Sequence, residues 1–217
     1  MTKDTQETTQ EIRDNILEKA LPHVAFDGWT MALFEKAAQD AGYEASMAPA
    51  IFSRREADAA LHFADWADRK MLEVLKQYDP ESLRVRDRVR TAFWKRLTLL
   101  RPYKEAVRRW ISFCAVHPLL FIGSQSLWRT VDQIWQWAGD TATDYNHYTK
   151  RGLLSGVITS TTLVWLDDQS EDQSKTADFL DRRIENVLQV GKCVGKFSGR
   201  FRSKSQAGEK PQDAQAA

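Results

Sequence analysis

Nearly every apolar run in this chain recurs at intervals of three and four residues, and no segment alternates at two between hairpin signals. That spacing puts apolar side chains on one stripe of a helix and does not suit half-buried strands, so the fold class is all-α. Ile12, Ile16, Leu17 and Ala20 make the first stripe, which ends near Pro22. Met31–Ala41 follows, with Thr30 as its cap and Gly42 closing it. A short turn over Met47–Phe52 and a longer helix from about Arg55 to Gln77 complete a three-helix head. From Arg84 onward Val85, Val89, Phe93, Leu97 and Leu100 mark one face, and Pro102 makes a break or the first turn of a new helix. Ser126–Ala138 is apolar around most of its circumference, as a central helix should be. Tyr145–Leu166 and Thr176–Val190 are the last two candidates, joined by an acidic link at Asp167–Asp172 that reads as solvated. Within the first of them Gly152 and Gly156 stand four apart, a spacing that permits close helix packing.

The chain divides into a helix–turn–helix-like head over 9–78 and a larger helical body over 84–190. A basic amphipathic segment, 191–202, is a candidate for membrane contact through Val190, Val194, Lys196, Phe197, Arg200 and Phe201. Residues 203–217 are poor in apolar side chains and read as a disordered tail. No run reaches the ~18 apolar residues of a membrane-spanning helix. The first residues are polar and acidic, and Cys114 and Cys193 form no Cys-x-x-Cys pair. These features lead to the expectation of a bacterial-type cytoplasmic protein held peripherally at the inner membrane.

The formal net charge of +1 is an average. Residues 1–50 hold four basic and nine acidic side chains, whereas 84–109 hold ten basic and two acidic. A basic middle beside aromatic residues points to an anionic membrane surface as partner. The head is the wrong sign for duplex DNA, whose binding rests on phosphate neutralisation. Its candidate recognition segment, Ala45–Phe52, has no Arg, Lys, Asn or Gln for base edges, and Pro49 disfavours helical geometry at Ala48. DNA is therefore not the expected partner, and a ligand-responsive transcription regulator is the alternative function.

No catalytic triad, phosphate-binding Gly loop, dinucleotide fingerprint or metal-helix spacing is present, so neither catalysis nor a cofactor nor a metal is expected. His23, His62 and His117 show no acidic partner pattern. Asp144 and His147 stand three apart at a helix start, where Asp144 can also cap the backbone. Five of the eight Trp fall between Trp94 and Trp137. Such rings build either solid core or the wall of a ligand cavity.

The order of a three-helix head and a larger helical body resembles the TetR-type regulators in architecture. A closer resemblance rests on specific strings. Arg90-Thr91-Ala92-Phe93-Trp94-Lys95-Arg96-Leu97, Leu127-Trp128-Arg129-Thr130-Val131-Asp132 and Thr176-Ala177-Asp178-Phe179-Leu180-Asp181-Arg182-Arg183-Ile184 are similar to the ubiquinone-biosynthesis accessory family of the COQ-nine type. Asp27-Gly28-Trp29, Ala138-Gly139-Asp140 and Tyr148-Thr149-Lys150-Arg151 continue the match, which runs from about Ile12 to Val190. The resemblance implies a non-enzymatic homodimer with a TetR-like fold that binds an isoprenoid quinone intermediate or phospholipid and presents it to a ubiquinone-pathway hydroxylase. It places the lipid site at Phe93, Trp94, Leu97, Trp110, Phe113, Phe121, Leu127, Trp128, Val131 and Trp135. It places the hydroxylase surface at Asp132, Asp144, His147 and Tyr148, with His147 where the family commonly has Trp.

Overall fold

The computed structural model describes residues 7–116, 120–141 and 145–187. Among them all regular structure is helical: α1 (Thr9–Ala20), α2 (Val24–Asp27), α3 (Met31–Asp40), α4 (Met47–Ile51), α5 (Glu56–Leu75), α6 (Val85–Leu100), α7 (Lys104–Val116), α8 (Leu120–Trp137), α9 (Tyr145–Asp167) and α10 (174–187). Short 3₁₀ turns stand at Pro80–Ser82 and Arg101–Tyr103, the second produced by Pro102. The candidate membrane segment, with Val190, Val194, Lys196, Phe197, Arg200 and Phe201, lies outside the described residues, as do Asp144 and His117.

Local chemistry sets the helix ends. Thr8 and Glu11 form a reciprocal capping box on α1, Thr8 N–H donating to Glu11 at 2.7 Å and Glu11 N–H to Thr8 at 3.2 Å. Thr30 caps α3 by accepting from Leu33 N–H. Helices α3 and α8 both close on a left-handed glycine, Gly42 at φ +87° and Gly139 at φ +83°. In each the residue beyond the glycine donates back to the last turn, Tyr43 to Ala38 and Asp140 to Trp135, both at 2.9 Å. A Cβ at either position would be strained by the positive φ alone.

One hydrophobic cluster runs through head and body, from Ile16, Phe34 and Phe52 through Phe63, Trp66 and Met71 to Phe93, Ile134, Val157 and Trp165. Helix α5 belongs to both parts, meeting α1 through His62, Trp66 and Arg69 and packing also on α6 and α8. Three groups of ion pairs and hydrogen bonds lock this arrangement. Asp68 of α5 is fully buried and accepts from Arg96 of α6 (3.0 Å), Arg129 of α8 (3.2 Å) and the Thr130 hydroxyl (2.8 Å). Asp14 of α1 takes a two-pronged guanidinium from Arg69 at 2.7 and 2.8 Å and faces His62 Nε2 at 2.7 Å. His62 thus has an acidic partner 48 residues away that no local pattern displays. Its imidazole is held below its usual pKa by burial, against the raising effect of Asp14. Near the end of the chain Asp168 is buried and bound by Ser170 and Thr176 through backbone and hydroxyl groups, at 2.5–3.0 Å. The link expected to be solvated is in part a buried knot, because its carboxylate receives four hydrogen bonds.

The cations of the basic run over 84–109 contact acids, carbonyls or rings of the same chain, although Arg84, Arg101, Arg108 and Arg109 are exposed. Arg86 and Arg90 pair with Glu185 and Asp181 of α10. Arg88 donates to the Leu83 and Ala138 carbonyls, Arg101 to Glu171, Lys104 to Asp168, Arg108 to Leu166 and Arg109 to Ala25. Arg84 meets Asp87, Arg96 meets Asp68, and Lys95 lies over the Tyr78 ring. A linear count of charge gives a basic face, whereas the tertiary structure distributes these cations over acids and helix-end carbonyls. Gly152 and Gly156 are exposed and face open space among the described residues, where no other helix packs closely on them.

Removing the Asp68 carboxylate leaves two arginines facing each other across a buried junction. Asp68→Ala should cost about 3 kcal/mol, typical of breaking a buried pair, and Thr130→Val about 1 kcal/mol, both read from urea midpoints. Burial pushes the Asp168 carboxyl up, but the hydrogen bonds from Ser170 and Thr176 outweigh it and hold its pKa well below the usual value. A carboxylate with a depressed folded pKa contributes its full stability above the unfolded value and loses it as pH falls through the folded one. Stability should therefore decline below about pH 4, and Asp168→Asn should flatten that decline in thermal melts at stepped pH.

Candidate functional site

Five helices of the body leave a cavity of about 380 Å³ between them. Its wall is built from Phe63 and Ala64 of α5, Leu100 of α6, Val107, Trp110, Ile111 and Cys114 of α7, Leu127 of α8 and Ile158 of α9. The interior is dominated by carbon, with Arg96, Ser126 and Thr130 as polar groups in the wall. The outer wall carries the exposed Ala115, Ser124, Thr159 and Leu163, which place the mouth between α7, α8 and α9. A volume near the lower end of the ~300–1,000 Å³ typical of ligand sites takes a ring or a length of chain, not a long isoprenoid in full.

Small side chains create this space. Gly123, Ser126 and Thr130 lie at intervals of three and four on one face of α8, opposite Ala64. At Gly123 a Cβ would stand 3.4 Å from the Cys114 Cβ, so α7 and α8 approach closely there. Burial in these apolar surroundings pushes the Cys114 thiol up to about 11. The Trp110 indole donates to the Ala60 carbonyl at 2.9 Å, which fixes that ring in the wall.

Of the ten residues expected at a lipid site, Trp110 and Leu127 line this cavity. Phe93, Leu97 and Val131 are buried in solid core. Trp94 and Phe113 are half-buried against that core, Trp94 under the Arg90 guanidinium. Trp135 flanks a separate small gap between α6, α8, α9 and α10 and donates to the Lys150 carbonyl. Phe121 is 74% exposed and Trp128 40% exposed. The rings are spread in this way because large side chains fill interior space, while voids open where small ones face each other. The cavity residues absent from the expectation, among them Ala64, Cys114, Ile158 and Thr162, had one legible signal: the small-residue spacing along α8.

Outside the cavity, Trp128 of α8 and Tyr148 of α9 stand side by side with ring centroids 6.3 Å apart, and His147 meets Tyr148 at 5.2 Å. Tyr148 is 64% exposed, and Phe121 lies two turns before Trp128 on the same helix. This makes an exposed aromatic strip beside Asp132. The carboxylate of Asp132 is engaged from within, by the buried Arg151 at 2.6 Å and by Gln136 at 2.7 Å. Arg151 also pairs with Asp140, so this cation ties α8, the loop after it and α9 together beneath the strip. Asp132, His147 and Tyr148 are thus brought to one face, with the rings outermost and the acid committed to holding the helices.

A helical head joined to a larger helical body with a cavity among its helices is the TetR-like fold. In agreement, the TetR transcriptional regulator from Nitrosomonas europaea superposes with a TM-score of 0.67 over 82% of this chain and 98% of its own, at 19% identity. That likeness concerns the fold alone.

Residues 122–191, which include most of α8 and all of α9, match the COQ9 family model. Along 87% of its length the chain is 31% identical to the mitochondrial ubiquinone biosynthesis protein COQ9 of Rattus norvegicus and 29% identical to that of Homo sapiens. The probable mitochondrial ubiquinone biosynthesis protein coq9 of Dictyostelium discoideum is 29% identical over 83% of the chain. The chain spans about 62% of the rat protein's length and 61% of the human and Dictyostelium ones. These comparisons bear out the resemblance read from the sequence. They overturn the expected bacterial-type cytoplasmic location, since these relatives are mitochondrial proteins. That expectation rested on a few polar residues and two cysteines, which carry no address. Among the described residues no helix is long and apolar enough to cross a membrane.

The raised pKa of Cys114 gives a direct check on the closed, apolar cavity wall. In a Cys193→Ser variant, thiol reaction with a water-soluble disulfide reagent at pH 8 should be slower than in the urea-unfolded chain by at least about tenfold.

Proposed function

We propose that this chain is a lipid-binding accessory protein of ubiquinone biosynthesis, not itself an enzyme. It takes an isoprenoid quinone intermediate into the cavity between α5 and α9 and offers it to a ring hydroxylase. The observation that carries the reading is the largely apolar 380 Å³ cavity, found in a chain similar to proteins named for ubiquinone biosynthesis. Each methylene moved from water into such a wall gains about 0.8 kcal/mol, enough for a few carbons of chain to give useful affinity. A chain longer than the cavity leaves through the mouth at Ala115 and Leu163.

The hydroxylase docks on the strip formed by Trp128, His147 and Tyr148. Exposed aromatic rings with a polar edge are typical interface anchors, and the buried Arg151–Asp132–Asp140 bridge supplies the rigid base beneath them. Asp132 acts here through the position it gives α8 more than through direct contact.

Mass spectrometry of natively purified protein should find an isoprenoid or phospholipid bound, and a protein devoid of any lipid would refute the cavity reading. Ala115→Trp, placed at the exposed mouth, should remove most of that lipid while leaving the melting temperature within about 2 °C, as for a surface change.

A further inference from the structure

A second cavity, a polar cleft of about 690 Å³, lies on the other side of the α5–α8 crossing. Three cations from three parts of the chain face it: Arg13 of α1, Arg54 of the turn before α5, and Arg129 of α8. Three carboxylates share the walls, those of Asp58, Asp65 and Asp132. An acid repels an anionic ligand unless its charge is already matched, and each of these is paired, Asp58 by Arg54 of the cleft itself. Asp58 accepts from the Ser53 hydroxyl (3.0 Å) and from the Arg54 backbone (2.8 Å) and Nε (2.7 Å). Asp65 is paired with Arg69 at 2.8 Å, and Asp132 with Arg151 at 2.6 Å.

The arginines keep donors in reserve. Arg13 uses Nε and Nη2 on the Ile51 carbonyl, and Arg54 uses Nε on Asp58. Among the described residues neither uses Nη1 in a hydrogen bond, nor does Arg54 use its Nη2. Arg129 gives Nε to Asp68 and Nη1 to Asp65, while its Nη2 is buried without a partner. Three residues earlier on the same helix the Ser126 hydroxyl is likewise buried without a partner. Orphaned buried polar groups cost free energy, and natural proteins retain few of them. Here both orphaned groups belong to residues that line one cleft, together with Arg13 and Arg54. Arg55, next to Arg54, holds a non-glycine φ of +53°, a strained conformation that aims this turn. At the rim Trp128 is 40% exposed and offers an apolar face beside the cations.

We propose that this cleft binds a phosphate group, either inorganic phosphate or the head of an anionic lipid. Planar guanidinium forks match phosphate oxygens in pairs, and a singly bonded oxygen can accept from both Arg129 and Ser126 after a small shift of the floor. Trp128 then covers the first carbons of a lipid-borne phosphate. The cleft borders the apolar cavity at Ser126, and the proposal holds whether or not that cavity carries a quinone.

Titration calorimetry at low ionic strength, with inorganic phosphate and separately with dihexanoyl phosphatidic acid below its micelle concentration, tests this. Saturable one-to-one binding of either is expected, weakened by added salt. Phosphate binding alone identifies a free-anion site, and lipid binding alone a headgroup site. The double variant Arg13→Gln/Arg54→Gln should lose at least about tenfold in affinity. Arg129→Lys, which keeps a cation near Asp65 and Asp68 but lacks the fork, should lose several-fold. Ser126→Ala removes an unpartnered hydroxyl without disturbing any pair and should also weaken binding. Absence of binding by both ligands overturns the proposal, and so does equal binding by wild type and all three variants, with folding checked by circular dichroism.

Discussion

The body of this protein is organised around one buried carboxylate. Asp68 has no exposure, and a bare charge at that depth would be prohibitive. It is tolerated because Arg96, Arg129 and Thr130 reach it from two other helices, so α5, α6 and α8 can pack in only one mutual register. Such a junction adds little net stability over a well-packed apolar one, but it penalises every arrangement that leaves a charge unmatched. The same residues border both cavities: Arg96 and Thr130 face the apolar one, and Arg129 faces the polar cleft. The partition between an oily chamber and a charged one thus depends on how this acid is satisfied.

A similar logic accounts for the basic middle of the chain. Its arginines and lysines pin α10 through Glu185 and Asp181, close the ends of α8 and α9 through carbonyl oxygens, and fasten α2 to α7. Cations near helix C-termini also meet the negative end of the backbone dipole. Although most of these residues hold partners within the chain, Arg84, Arg101, Arg108 and Arg109 remain exposed, and the outward chemistry of the described body includes them beside the aromatic strip of Trp128 and Tyr148 and the mouth of the apolar cavity. The polar cleft is the exception, since three arginines there keep unused donors.

The apolar cavity was only partly legible. The surplus of Trp and Phe in the middle of the chain falls in part on the helices around the cavity, since α7 and α8 supply Trp110 and Leu127. Most of the other residues singled out there do not line it: Phe93, Leu97 and Val131 fill space and Phe121 faces outward. Voids arise from what is missing: Gly123, Ser126 and Thr130 on α8 leave room that no large neighbour enters. His62 and Asp168 teach the same lesson for polar groups. Neither has a convincing local signature, and both are buried in hydrogen-bonded networks.

Periodicity, caps and breakers act within a few residues, so the sequence by itself determined the all-α class, the helix sequence and most helix ends, including Thr30, Gly42 and Pro102. The head-and-body order and the family strings were equally visible. Only the tertiary structure decided which partners within the chain the basic run meets, that Asp132 is held from beneath by Arg151, and where two cavities open. Each of those outcomes depends on which faces of distant helices meet. That choice is made by packing and by pairing charges across tens of residues, as between Asp68 and Arg129 or between Arg90 and Asp181, and no local pattern encodes it.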